Sequence, residues 1–104
     1  MSETRPDLER LSRDLTDQGK LIEAGWIGLR LAAVPLDAPE IQLREMRQAF
    51  FAGAQHLFFS IMTILDPGSE PTEADLRRMD LIDKELRNFI ADFAAKHIET
   101  KGSA

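Results

Sequence analysis

Two residues are placed to do chemistry: Glu23 and His56, each a polar side chain in an otherwise apolar stretch. A carboxylate beside an imidazole can relay a proton or share a metal ion. The pair meets only if their helices lie side by side in opposite directions, with positions 23 and 56 at one height. No third group is supplied. The chain has two histidines and no cysteine, with no Glu-x-x-His or His-x-x-x-His spacing. A transition-metal site would need mostly carboxylates. The blander account of the pair is an ordinary hydrogen bond, a partly solvated stripe, or no contact. His97 stands near the end of the last predicted helix, where its charge complements the dipole. Glycine-rich phosphate loops, nucleophile elbows, EF-hands and zinc-finger spacings are absent. The sequence therefore assigns no catalytic, cofactor-binding or metal-ligating residue. Glu23 and His56 are the candidate polar pair of an alternative function, a small enzyme or metal-binding protein.

The elements that position these residues are read from punctuation and periodicity. Four of the five prolines fall in two short stretches, Val34–Pro39 and Asp66–Thr72. Proline breaks a helix because it lacks an N–H and clashes with the preceding turn. Each stretch ends in a helix start signal: Asp37 before Glu40, with Pro39 in the first turn, and Thr72 before Asp75. Between the breaks apolar residues recur every three or four positions. Leu8, Leu11, Leu15, Ile22 and Leu29 do so early, and Leu76, Met79, Ile82, Leu86, Phe89 and Phe93 late. Acids precede bases by four residues at Glu9/Arg13, Asp80/Lys84, Asp83/Arg87 and Asp92/Lys96, marking solvated helix faces. The expected fold is all-α: an antiparallel three-helix bundle with helices at 7–33, 38–65 and 73–99. It forms a single helical domain over 1–104, with short disordered ends expected at 1–6 and 100–104. Gly19 is the weak point of the first helix, where Asp17-Gln18-Gly19 can end a shorter one.

Two clusters of side chains follow. Ala24, Gly25 and Gly28 on the first helix, with Ala49 and Gly53 on the second, are small enough for a tight crossing. The second helix is apolar over half its circumference or more, wider than the stripe of a surface helix. Phe51, Phe58, Phe59 and Met62 extend that arc, while Trp26, Ile27 and Leu31 lie off the main stripe of helix 1. These seven form the candidate interface. In a chain of 104 residues such a helix either sits centrally or is covered by a second chain. A homo-oligomer, a dimer first, is the expectation, with a separate protein partner as the other occupant.

Net charge is −5 and no third of the chain carries a basic excess. Phosphate binding needs a concentrated basic surface, so a nucleic-acid-associated regulator is the weakest of the functions considered. The most apolar run, Ala49 to Leu65, is interrupted by Gln55, His56 and Ser60, and is short for a membrane span. The polar, acidic start lacks the pattern of a secretory signal. Both point to the cytoplasm and away from a membrane.

The stretch Met46 to Phe58, MRQAFFAGAQHLF, and the later segments Leu65-Asp66-Pro67-Gly68 and Glu70 to Met79, EPTEADLRRM, resemble short uncharacterised helical bacterial proteins, some of them in prophage or mobile-element contexts. The likeness covers the last two-thirds of the chain and brings no site residue with it. It implies a small accessory protein. The expected function is thus a non-enzymatic helical interaction protein that self-associates through its second helix, with no cofactor.

Overall fold

The computed structural model describes residues 4–65, 67–68 and 70–102, with side chains described up to residue 96. His97 therefore lies outside the described side chains, as do Asp66 and Ser69 in the second proline stretch. The described residues form four helices and no strand: α1 (Arg5–Asp17), α2 (Leu21–Ala33), α3 (Glu40–Ile64) and α4 (Glu73–Gly102). The fold is all-α. The chain divides into two compact units, residues 1–60 and 61–104.

The single helix expected over 7–33 is two helices. Gly19 adopts φ +80°, a left-handed conformation that costs a side-chain-bearing residue about 1–2 kcal/mol. Its N–H donates to the Thr16 carbonyl at 3.0 Å, and the Lys20 N–H donates to Leu15 at 2.9 Å. These two bonds satisfy carbonyls that the end of α1 leaves open, as in a Schellman motif. The start of α1 is closed with equal care. Thr4 Oγ1 accepts from the Asp7 N–H at 3.2 Å, and Asp7 Oδ2 accepts from the Thr4 N–H at 3.3 Å. This reciprocal box is worth roughly 1 kcal/mol.

After the turn, α2 folds back along α1. Arg5 Nη1 donates to the Leu31 carbonyl at 3.0 Å, and Ser12 Oγ donates to the Ala24 carbonyl at 3.3 Å. As one residue number rises the other falls by an equal step, so the two helices run antiparallel in one register. Leu8 is fully buried between them, with Trp26 and Ile27 completing the centre of this core. Leu43, Met46 and Phe50 from the first half of α3 pack against it, spaced three and four apart on one helix face, and Phe51 beside them joins the contact. The Trp26 and Phe50 rings lie 6.1 Å apart at 49°.

The start of α3 differs from the expected Asp37/Glu40 box. Asp37 belongs to a turn in which the Ala38 N–H donates to Pro35 at 3.1 Å. The first helical bond runs from the Leu43 N–H to the Pro39 carbonyl at 3.0 Å, so Pro39 stands just outside the helix instead of in its first turn. The start of α4 follows the sequence. Thr72 and Asp75 exchange backbone-to-side-chain bonds of 3.1 Å each, and Asp75 is buried. In the same unit, Arg78 Nη1 donates to the Ile64 carbonyl and lies 3.6 Å from Asp75 Oδ1. One cation thereby serves the negative end of α3 and the carboxylate that caps α4.

Candidate functional site

The structure gives Glu23 a partner, and it is Arg47. Arg47 Nε donates to Glu23 Oε2 at 3.0 Å, and Nη2 donates to Oε1. The fork matches the two carboxylate oxygens, the geometry that makes arginine a strong carboxylate partner. The guanidinium also lies over the Phe51 ring, 4.3 Å from its centroid, which adds a cation–π contact. Glu23, Arg47 and Phe51 thus form one stack across α2 and α3.

The hydrogen bonds from Arg47 hold the Glu23 carboxyl below its ordinary range, against the opposing effect of partial burial. Arg47 is raised in turn, chiefly by the same hydrogen bonds. A carboxylate held ionised in this way is a poor proton donor near neutral pH. It is a strut between helices.

His56 is elsewhere. It stands nine residues after Arg47 on α3, about 13 Å further along and half a turn round the helix. It lines a shallow exposed depression with Ala52, Gln55 and Phe59. Glu23 and His56 are therefore not brought together. Among the described residues no group of three or more His, Cys, Asp or Glu side chains is gathered closely enough to hold a metal ion.

The small residues divide. A Cβ added to Gly25 would come within 3.2 Å of Phe50 Cζ, whereas at Gly28 and Gly53 it would meet nothing within 4 Å. The close approach lies between the Gly25 backbone and an aromatic ring. Ala24 is buried and its carbonyl accepts the Ser12 hydroxyl, while Ala49 is exposed.

The candidate interface residues divide as well. Trp26 and Ile27 are core residues of the α1–α2 pair, and Leu31 and Phe51 are half-buried against them. Phe58, Phe59 and Met62 stand exposed. Between α2 and α3 an open groove of about 420 Å³ is lined by Leu21, Ile22, Phe51, Ala54, Gln55 and Phe58. Gln55 is the one polar side chain in that lining, so the groove suits an apolar group and offers no nucleophile, acid or base.

Two features escaped the sequence reading. The Arg47/Phe51 stack had a signal, a cation four residues before an aromatic on one helix face. The Thr4/Asp7 box also had one, Thr-x-x-Asp with Pro6 in the first turn. No helix among the described residues is long and apolar enough to cross a membrane. Neither a protein-family model, a curated protein nor a solved structure matches the chain.

Proposed function

We propose that this chain is a non-enzymatic helical interaction protein of the cytoplasm that self-associates through α3. One observation carries the reading. α3 is 25 residues long and contains Phe50, Phe51, Leu57, Phe58, Phe59, Ile61, Met62 and Ile64, yet none of its residues is buried. A helix of that composition is expected to give up most of its apolar surface to a neighbour. Burial of a large apolar side chain contributes about 1.5–3 kcal/mol, so several such side chains left open supply a driving force for association. The open groove beside Phe58 adds a concave apolar surface to the same face.

A second copy of the chain is the occupant we favour, a dimer being the smallest assembly. In this assembly α3 gains apolar neighbours from another copy. An accessory role fits the resemblance to short bacterial proteins of mobile-element context. Light scattering coupled to size exclusion, over a hundredfold concentration range, tests the proposal. Masses at multiples of 11.7 kDa that rise with concentration are expected. A constant monomer mass overturns it.

A further inference from the structure

The chain has no cysteine and four methionines, so its sulfur chemistry falls to thioethers. A thioether that an oxidant can reach is converted to a sulfoxide, and an apolar side chain becomes a polar one. Met1 lies outside the described residues. The other three have different surroundings. Met46 is half-buried against the α1–α2 core, and its sulfur accepts from Gln42 Nε2 at 3.7 Å. Met79 on α4 is 41% exposed. Met62 is 65% exposed, the most open of the three. It stands on α3 one turn after Phe58. Phe51, Gln55, Phe58 and Met62 follow spacings of four, three and four, which places them on one stripe of the helix. Among the described residues Met62 is the one sulfur on that open stripe.

We infer that Met62 is a reversible oxidation site, and that its sulfoxide releases the chain from self-association. The inference rests on the self-association through α3 proposed above and adds a control to it. The oxidant is a peroxide. The sulfur lone pair attacks one peroxide oxygen and the O–O bond breaks. The sulfur gives up two electrons and keeps that oxygen, and the other oxygen leaves with both protons as water. Two thiols reverse the step through a methionine sulfoxide reductase: they become a disulfide, and the sulfoxide oxygen leaves as water. In the thioether state Met62 offers an apolar side chain flexible enough to fit an irregular contact. In the sulfoxide state its oxygen is hydrated in the free chain and must shed that water to enter an apolar contact, which is unfavourable without a donor. The nearest side-chain donor on its stripe among the described residues is the Gln55 amide, about 10 Å back along the helix. A two-fold dimer carries the sulfoxide twice, so the dissociation constant rises about 100-fold.

Graded hydrogen peroxide on the full chain tests both halves of the inference. Peptide mass mapping reads oxidation at each methionine, light scattering reads the mass, and circular dichroism reads helicity. Met62 is expected to oxidise ahead of Met46 and Met79, with the mass falling towards the monomer as it does so and helicity unchanged. Met62→Leu keeps an apolar side chain without sulfur, and is expected to associate like wild type and to hold its mass through the same peroxide dose. Met79→Leu is expected to lose mass as wild type does. A methionine sulfoxide reductase supplied with dithiothreitol is expected to restore the assembly. Oxidation of Met46 or Met79 ahead of Met62 overturns the site. A Met62→Leu variant that dissociates under peroxide like wild type overturns the control, and so does a helical signal lost together with the mass. A chain oxidised at Met62 that keeps its mass overturns the inference, and if Phe58→Glu lowers the mass in that case, self-association through α3 stands without it. A wild type that is monomeric before any oxidant removes both.

Discussion

Replacing Phe58 by glutamate puts a charge at the rim of the apolar groove without disturbing the helix, since glutamate is a good helix former. A phenylalanine carries roughly 200 Å² of surface. Phe58 is 64% exposed, which leaves about 130 Å² per copy available to a partner. At about 25 cal/mol per Å² this is worth ~3 kcal/mol when fully covered. A two-fold dimer uses the residue twice, so loss of both side chains costs up to about 6 kcal/mol, or a factor near 10⁴ in the dissociation constant. A rim position that is only half covered gives about 3 kcal/mol and a factor near 100. The covered remainder of the ring is worth at most about 2 kcal/mol to the fold. Sedimentation velocity measures the dissociation constant, and circular dichroism at the same concentrations reports whether the helices persist. A shift smaller than about tenfold with helicity intact refutes the assignment of this face to self-association.

Three further outcomes test the description of the first unit. Leu8→Ala empties a site that is fully buried and is expected to destabilise by about 2–5 kcal/mol. A loss below ~1 kcal/mol in urea titration contradicts the placement of Leu8 at the centre of the α1–α2 core. Gly19→Ala separates a turn from a continuous helix by sign. At φ +80° with open space around the position the substitution costs about 1–2 kcal/mol, whereas in a helix interior it would gain about 1 kcal/mol. A raised thermal midpoint therefore argues for the unbroken helix. Glu23 has its pKa lowered from 4.5 by the hydrogen bonds from Arg47. Its contribution is complete above the unfolded value and is lost as pH falls through the lower folded value. Glu23→Gln should flatten part of the acid limb of stability against pH. Asp7, lowered by its bonds to Thr4, keeps its own share. An acid limb identical to wild type refutes the strut.

The parts of the fold legible in the sequence are those set by local chemistry. Proline marks the ends of α2 and α3 because it cannot continue a helix, and Thr72 with Asp75 starts α4 because both partners of the box lie within one turn. Gly19 shows where local chemistry becomes ambiguous. Glycine inside a helix and glycine ending one look alike in sequence, and what separates them is whether the following residues have a surface to fold back onto. Trp26 and Ile27 supply that surface by closing over Leu8. The same two residues lie off the main apolar stripe of a continuous helix over 7–33, which makes them interface candidates in sequence, whereas the pairing of α1 with α2 places them in the core with Leu8. Glu23 stands out in the sequence as a polar residue in an apolar stretch, but its partner is decided by the angle at which α2 meets α3, which periodicity does not encode. The apolar breadth of α3 was legible. Its lack of any buried residue was not, because burial depends on neighbours.

The turn at Gly19 has a kinetic consequence. It joins helices whose mutual contacts close over 12 residues at Ser12–Ala24 and 26 residues at Arg5–Leu31. Contacts this local form quickly, because little chain must be searched before they are rewarded. Synthesis adds roughly 5–20 residues per second, so the α1–α2 pair has seconds in which to close before α4 leaves the ribosome. What emerges after that pair is α3 with its open apolar face, on a chain whose first two helices have already closed on each other. The interval during which that surface stays uncovered is set by how soon it meets another molecule.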